Sequence, residues 1–269
     1  MKITIHYRPV LLIAITLMVI GLVLLIIRPK RVPEIELVEE EVVYEKRRPV
    51  VALVLDDMGY NRKNLEAIGN IGVPVTMAVL PDTPYSKKIC SFADENGIEV
   101  ILHMPMEPEK KEVNLERNTI GSEMDPETIK QKIDHAFKTV PAAKGMNNHM
   151  GSKATRNGEF MTLVLGELDK RGMFFLDSWT AGGSKCLQAA RKTGVPYAKR
   201  DVFIDNKRDR QAIIEQMEKV ERIAFQNGKA VAIGHDRVLT VQVLREVIPG
   251  MEERGIQFVS LSEIVERQE

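Results

Sequence analysis

An apolar run that ends in two adjacent carboxylates constrains this chain more than any other stretch. Residues 50–59 read VVALVLDDMG, so six apolar residues lead directly into Asp56 and Asp57. A continuous apolar run that ends at a turn residue is typical of a strand buried on both faces. In α/β proteins the carboxyl ends of such strands carry the chemistry. Two neighbouring negative charges repel each other, and a bound cation is the simplest group that would stabilise both.

Segments typical of strands and of helices alternate after this first strand. The predicted strands cover residues 50–55, 75–80, 99–102, 144–147, 173–176, 197–204, 230–233 and 257–259. The predicted helices cover residues 64–70, 86–96, 126–139, 158–171, 184–193, 208–227, 241–254 and 260–267. Seven or eight strand–helix units indicate a mainly parallel sheet with helices outside it. The count favours a closed or nearly closed barrel over an open sheet, although spacing alone does not settle closure.

The N-terminal end carries an apolar segment of 18 residues, 10–27, which is just long enough to span the apolar core of a bilayer. Lysine and arginine flank it on both sides, so the positive-inside rule does not fix its orientation. No small-residue cleavage pattern follows, which favours an uncleaved anchor over a removed signal peptide. We predict that the N-terminus lies inside the cell and that the domain lies outside the cytoplasm, in the periplasm or at the cell surface.

This pattern divides the chain into three parts. Residues 1–28 are the predicted membrane anchor, residues 29–48 a flexible tether rich in Pro, Glu, Arg and Lys, and residues 49–269 the folded domain. A domain of roughly 220 residues can bury a full core without disulfides. The two cysteines lie far apart and indicate neither a zinc ribbon nor a disulfide framework. A formal net charge of zero argues against nucleic-acid binding.

Residues able to perform chemistry stand at the ends of five predicted strands: Asp56 with Asp57, His103, His149, Asp177 and His235. The chain has five histidines, and three of them fall at these strand ends. Two imidazoles and one carboxylate suit Zn²⁺ or another divalent cation and leave a position for water. We predict that Asp57, His103 and His149 are the metal ligands.

The other strand-end residues suggest a hydrolytic mechanism. A divalent ion lowers the pKa of its water toward neutrality and polarises a carbonyl group. Asp56 is placed to accept a proton from that water as general base, and His235 to protonate the leaving group. Asp177 could orient His235 or stabilise its charged form. Structural roles are the alternatives, because a strand-end acid can simply cap a helix and a strand-end histidine can pack in a turn.

Five motifs together resemble the divergent polysaccharide deacetylases, which are distant relatives of the carbohydrate esterases with a NodB-type fold. They are LDDMG at residues 55–59, LHMPMEP at 102–108, GMNNHMGS at 145–152, FLDS at 175–178 and the Gly-His pair at 234–235. The resemblance spans about residues 49–265 and implies an α/β fold, an irregular (β/α)7-type barrel with mainly parallel strands.

The same resemblance implies a metal-dependent removal of acetyl groups from N-acetylated sugars. The metal is bound by one aspartate and two histidines in the wider family. By this resemblance, Asp56 matches the base, Asp57 the metal carboxylate, His103 the first metal histidine and His235 the acid.

The sequence departs from the wider family at two places. That family takes its second metal histidine four residues after the first, where this chain has Glu107. His149 is then the best candidate for the second imidazole, and Glu107 could be an extra ligand or could contact one. The Arg-x-Pro-Tyr motif of the wider family is replaced by Asn147, Asn148 and His149, which changes the floor of the substrate site.

We therefore predict a membrane-tethered, metal-dependent hydrolase that acts on the amide bonds of an N-acetylated envelope polysaccharide. The alternative is a glycan-binding or envelope-organising protein that keeps the metal pocket but turns over poorly, and the altered second-ligand position favours it. The predicted partners are an acetylated glycan and, through the anchor, the membrane. A cytoplasmic sugar-phosphate enzyme is disfavoured by the anchor and by the absence of a Gly-rich phosphate loop.

Overall fold

The computed structural model of the protein describes residues 8–26, 48–110 and 114–268. The chain divides into two compact units, Met1–Glu45 and Lys46–Glu269. Each unit has its own architecture, and the second contains every residue of the predicted site.

The first unit contains helix α1, which covers Arg8–Ile26. Within the described parts of the chain, no helix is both long and apolar enough to cross a membrane. Most of the predicted tether, residues 29–47, lies outside the described residues.

The second unit is built on a nine-stranded sheet. All pairings between its named strands are parallel. The strands are β1 (Val50–Met58), β2 (Thr76–Val79), β3 (Glu99–Met106), β4 (Ala143–Met150), β5 (Phe174–Asp177), β6 (Tyr197–Lys199), β7 (Val202–Phe203), β8 (Lys229–His235) and β9 (Gln257–Val259).

The strand order shows how the sheet curves into a barrel. The order is β6-β5-β4-β3-β2-β1-β8-β7, and β9 pairs with the first half of β1. The two outermost strands of this order, β6 and β7, are separated in the chain by only Arg200 and Asp201. Because two residues join them, the outer strands must lie close together. The predicted fold class is therefore confirmed as a parallel α/β fold that fits a (β/α)7 barrel.

Helices follow most of the strands and cover the outside of the sheet. They are α2 (Leu65–Gly69), α3 (Ser86–Glu95), α4 (Pro126–Thr139), α5 (Gly158–Asp169), α6 (Cys186–Thr193), α7 (Arg210–Asn227) and α8 (Val238–Glu253). The sequence marks some starts precisely: the carboxylate of Asp125 accepts the backbone N–H of Thr128 before α4, and Pro126 occupies its first position.

Strand alternation determines which side chains enter the barrel. In β1, Ala52 and Val54 belong to an apolar cluster formed almost entirely by the strands, whereas Leu53 packs in the larger cluster shared with the helices. Successive strand residues point to opposite faces, so Asp56 continues the inward row of Ala52 and Val54. His235 likewise continues the row of Ile233, which belongs to the inner cluster. The inward rows are apolar along the barrel and polar at its carboxyl end.

The predicted strands end too early at the site. The structure extends β3 to Met106 and β4 to Met150, where prediction ended them at residues 102 and 147. Pairing continues through the polar residues, with His103 opposite Asn147 and Pro105 opposite His149. The predicted strands stopped where polar residues interrupt the apolar run. In the structure these polar residues continue the strands at the carboxyl end of the barrel.

The predicted terminal helix over residues 260–267 is wrong. Ser260 and Glu263 do form a capping box, but the helical turn covers only Leu261–Glu263. The backbone of Glu266 then exchanges two hydrogen bonds with Tyr197 of β6. Pairing with a sheet edge satisfies the same backbone groups that a continued helix would have used.

The burial of β1 gives a stability prediction. We expect Leu53→Ala to lower the free energy of unfolding by about 2–5 kcal/mol, because Leu53 is fully buried and its removal leaves a cavity. Chemical denaturation of the full chain measures this. Leu163→Ala on α5 is the matched control, since Leu163 is 42% exposed and should cost about 0.5 kcal/mol or less. Equal losses in the two variants would contradict the assigned core.

Candidate metal centre

Three side chains from three strands converge at the carboxyl end of the barrel. Asp57 comes from β1, His103 from β3 and His149 from β4. The Oδ1 atom of Asp57 lies 3.1 Å from Nε2 of His103 and 2.9 Å from Nδ1 of His149. The two imidazole nitrogens are 3.1 Å apart. The structure thus brings together the three side chains that the sequence predicted as ligands, and they form a group that could hold a metal ion.

The spacing of these three atoms matches a metal site. Nitrogen and oxygen ligands about 2.0–2.1 Å from a tetrahedral Zn²⁺ lie roughly 3.3–3.4 Å from one another. The observed separations of 2.9–3.1 Å come within a few tenths of an ångström of that value. Two imidazoles and a carboxylate are also the donor types that Zn²⁺ and related divalent ions accept. The residues present therefore fit a divalent cation, whose identity the donor set does not fix.

The backbone of Asp57 explains how adjacent acids reach different partners. Its φ angle is 61°, in the left-handed region that non-glycine residues seldom occupy. At the same point the register between β1 and β2 shifts between Leu55 and Met58. Regular alternation would turn the Asp57 side chain away from the barrel interior, but the irregular backbone directs it to His103 and His149.

The two acids differ in environment as well as direction. Asp56 is 2% exposed, and burial raises the pKa of its carboxyl group in spite of the nearby His103. The pKa of Asp57 is lowered although burial acts in the opposite direction, because His103 and His149 hydrogen bond to its carboxylate. Two adjacent carboxylates whose pKa values are displaced in opposite directions are suited to different chemical roles.

His103 is the buried centre of this charge network. Burial alone would lower the pKa of its imidazole, but the carboxylates of Asp56 and Asp57 raise it to about 9. Its Nε2 lies 3.8 Å from Oδ2 of Asp56 as well as close to Asp57. The surrounding carboxylates therefore favour positive charge at this point, which either a proton or a divalent cation supplies.

His235 approaches the same group from β8. Its Nε2 lies 3.9 Å from the second carboxylate oxygen of Asp57, and its ring stacks on Phe203 with centroids 5.9 Å apart. Its Nδ1 lies 2.6 Å from Oδ1 of Asp205, and Oδ2 of Asp205 accepts the backbone N–H of His235 at 2.9 Å. Asp205, which is fully buried, therefore fixes the ring of His235.

The prediction that Asp177 orients His235 is wrong. The carboxylate of Asp177 instead accepts the backbone N–H of Trp179 and the hydroxyl of Ser184. Asp177 ends β5, which is not next to β8, whereas Asp205 follows β7, which pairs with β8. The signal that could have found Asp205 was its place just after the predicted strand over residues 197–204.

Glu107 is held away from the candidate ligands by contacts of its own. Its Oε1 lies 2.8 Å from Nζ of Lys153, and its Oε2 accepts the backbone N–H and the hydroxyl of Ser122 at 3.2 and 3.1 Å. Burial opposes charge on this side chain, but Lys153 and Ser122 lower the pKa of its carboxyl group. Glu107 thus fastens the loop after β3 to the segment after β4 and takes no part in the three-residue group.

A solvent-accessible cavity of about 470 Å³ opens onto these residues. The candidate ligands, Asp56 and His235 line it, together with a rim of polar and small residues: Glu109, Lys110, Ser152, Thr180 and Ala181. The volume lies within the range of small-molecule sites. Trp179 faces a different cavity, where Nζ of Lys199 lies 4.6 Å from the centre of its ring.

These features define a parallel α/β barrel with a candidate divalent-metal centre at the carboxyl end of its strands. A family model described as "Divergent polysaccharide deacetylase" matches residues 53–265, which is most of the chain. The chain belongs to the divergent polysaccharide deacetylase family, as the motifs of its sequence predicted.

Relatives and solved structures agree with this assignment. The chain is 38% identical over 198 residues to the uncharacterised protein YibQ of Escherichia coli K12. The aligned region covers 74% of this chain and 62% of YibQ, so the chain spans less than two thirds of that relative. An uncharacterised protein of Agrobacterium tumefaciens C58 has a crystal structure with a TM-score of 0.77 and 21% identity, covering 81% of this chain and 90% of that one.

An enzyme shares the fold at lower similarity. The catalytic domain of a peptidoglycan N-acetylglucosamine deacetylase from Eubacterium rectale ATCC 33656 gives a TM-score of 0.54 at 14% identity. The match covers 82% of this chain and 93% of that domain. At these identities the structural likeness establishes the fold alone.

The convergence of the three side chains predicts the effect of removing one of them. We expect the protein to bind a divalent ion such as Zn²⁺. We expect His149→Ala to weaken that binding by more than about 100-fold, because the change removes a ligand itself and not a residue that only hydrogen bonds to a ligand. Competition with a chromogenic zinc chelator measures the affinity.

His135→Ala is the matched control for this experiment. His135 lies on α4, where its Nε2 contacts Asp82 at 2.7 Å, and it does not belong to the candidate ligand group. Its replacement should leave the zinc affinity unchanged. Unaltered affinity in His149→Ala would remove His149 from the set of ligands.

Proposed function

We propose that the protein is a metal-dependent hydrolase that removes N-acetyl groups from an envelope polysaccharide. One observation carries the proposal: Asp57, His103 and His149 present three ligand atoms within 3.1 Å of one another, and both a buried carboxylate and a histidine border the group. Membership of the divergent polysaccharide deacetylase family supports the substrate class. The Eubacterium rectale domain, which shares the fold, supports an amide as the bond that is cleaved.

The reaction needs a nucleophilic water, a base and an acid. Asp57, His103 and His149 would hold a divalent cation, which when bound would supply an activated water and polarise the acetyl carbonyl. Asp56 accepts a proton, and burial raises the pKa of its carboxyl group above the ordinary value, which makes it a stronger base. His235 donates a proton to the departing sugar nitrogen, so that acetate and a free amino sugar result.

The position of His235 suits the acid role. Because Nδ1 of His235 is directed at the buried carboxylate of Asp205, its Nε2 is the nitrogen that faces the cavity. A carboxylate that fixes the ring of an acid–base histidine also fixes which nitrogen exchanges protons with the substrate.

A second candidate is a glycan-binding or envelope-organising protein that retains the metal pocket and turns over poorly. The observation that favours it concerns Glu107, which stands at the sequence position of the usual second metal histidine. Its carboxylate forms a salt bridge with Lys153 instead of contacting the candidate ligands. This substitution moves one ligand to β4 and changes the surroundings of the cavity without removing the base or the acid.

The role of Asp56 separates the two candidates. We expect Asp56→Asn to lower acetate release from N-acetylglucosamine oligomers by at least about 100-fold, because the amide cannot accept the proton. The variant should still bind zinc, with a loss of affinity smaller than the loss of acetate release, because the three ligands remain in place. An enzyme-coupled acetate assay measures the release of acetate, and competition with a chromogenic chelator measures the zinc affinity.

Asp169→Asn is the matched control, because Asp169 is an exposed residue at the end of α5. It should leave acetate release unchanged. Full activity of Asp56→Asn would exclude Asp56 as the base. A metal-loaded wild type that binds the oligomers but releases no acetate from any of them would favour the binding protein.

We further propose that the domain acts outside the cytoplasm and is tethered to the membrane by its N-terminal segment. The apolar sequence of residues 10–27 and the charged sequence after it support this location. We expect the full chain to sediment with membranes and to be released by detergent, whereas a variant without residues 1–28 should be soluble. A full chain that fractionates as a soluble cytoplasmic protein would contradict the proposal.

A further inference from the structure

We propose that Asn147 is a positioning residue that sets the metal-binding tautomer of His103 and orients the base Asp56 at the same time. The inference rests on the function proposed above and concerns the metal centre and the base together. Asn147 is fully buried on β4, and its amide lies between these two groups. The sequence indicated no role for it beyond its place in a motif.

The amide of Asn147 makes one contact with each partner. Its Oδ1 lies 2.7 Å from Nδ1 of His103, and its Nδ2 donates to Oδ1 of Asp56 at 2.9 Å. Nδ2 also lies 3.2 Å from the hydroxyl of Ser178. All three partners are buried, so these contacts are not readily replaced by bulk water.

The chemistry of Asp56 fixes which way the amide points. An amide has an oxygen that only accepts and a nitrogen that only donates. Reversing the group would place its oxygen against a carboxylate oxygen of Asp56 and would be repulsive. With Nδ2 directed at Asp56, Oδ1 necessarily faces His103, and only a protonated Nδ1 can donate to it.

This direction of hydrogen bonding determines which nitrogen of His103 can bind a cation. With the hydrogen on Nδ1, the Nε2 atom carries the free lone pair. Nε2 is the atom that lies 3.1 Å from both Asp57 and His149. The reversed amide would place a hydrogen on Nε2 and so prevent it from acting as a ligand. Asn147 thus selects the tautomer that the metal centre requires.

The sheet holds this arrangement rigidly. Asn147 is directly opposite His103 in the pairing of β3 with β4, and opposite Leu176 in the pairing of β4 with β5. It is therefore in the centre of the sheet, with a paired strand on each side. The neighbouring Asn148 accepts the backbone N–H of Ser178 and donates to the carbonyl of Met150, which fixes the adjoining loops.

Two substitutions separate the roles of the amide oxygen and the amide nitrogen. Asn147→Leu removes both contacts, and we expect it to lower zinc affinity by about 10–100-fold. Asn147→Asp keeps an oxygen facing Nδ1 of His103 but places its second oxygen against Asp56, where the two carboxyl groups must share a proton. We therefore expect it to retain more zinc affinity than Asn147→Leu. Chelator competition on the full chain measures both, and Asn118→Leu, which replaces another buried amide, should leave the affinity unchanged.

A measurement on the wild type tests the tautomer without any variant. In ¹⁵N-labelled protein with zinc bound, we expect the nuclear magnetic resonance signals of the His103 ring nitrogens to show a hydrogen on Nδ1 and the metal on Nε2. Metal on Nδ1 would overturn the inference, even if Asn147→Leu failed to fold. Thermal unfolding of each variant establishes that any loss of affinity belongs to the folded protein.

The outcomes distinguish the inference from the proposed function. If the wild type binds zinc and Asn147→Leu binds it equally well, the positioning role is wrong while the metal centre stands. If Asn147→Asp loses as much affinity as Asn147→Leu, the amide oxygen has no special part and the inference is again wrong. If the wild type binds no divalent ion, the proposed metal-dependent function fails and the inference fails with it.

Discussion

The site depends on keeping two adjacent carboxylates apart at the end of one strand. Asp56 and Asp57 would repel each other across a buried, poorly solvated space if they shared an environment. The φ angle of 61° at Asp57 separates them: Asp56 stays in the inward row of β1 and meets Asn147, and Asp57 meets His103 and His149. Both acids lie close to His103, but their hydrogen-bond partners differ, so one can bind a cation while the other remains available to accept a proton.

Strand alternation explains why much of the site could be predicted from the sequence. A buried parallel strand is a continuous apolar run, and polar residues that interrupt it at the carboxyl end face the interior with every second residue. The position of polar residues at strand ends identified Asp57, His103 and His149, although 92 positions separate the first from the last. Alternation accounts for the two histidines but not for Asp57, whose backbone is irregular. It also placed the strands near their observed positions. It could not show the positive φ of Asp57, because no glycine or asparagine marks that position.

Strand order was the information that the sequence lacked. Asp177 and Asp205 both follow strands and both are buried acids, so spacing along the chain does not distinguish them. Only the sheet order, in which β7 and not β5 lies beside β8, brings Asp205 to His235. The role of Asn147 was missed for a related reason. An amide binds neither a metal nor a proton strongly, and its importance follows from two neighbours on different strands.

The pairing of β3 with β4 also explains how His149 can replace the second metal histidine of the wider family. In the wider family both metal histidines lie on one segment, four residues apart, whereas here β3 continues to Met106 and Glu107 lies beyond its end. Glu107 then turns to Lys153 and Ser122. His149, two residues beyond the partner of His103 on β4, points to the same face and supplies the missing imidazole. The second candidate histidine thus lies on the neighbouring strand, and the three donor atoms are within 3.1 Å of one another. Because the new ligand sits beside Asn147, the same short stretch of β4 both completes the metal centre and orients its other histidine.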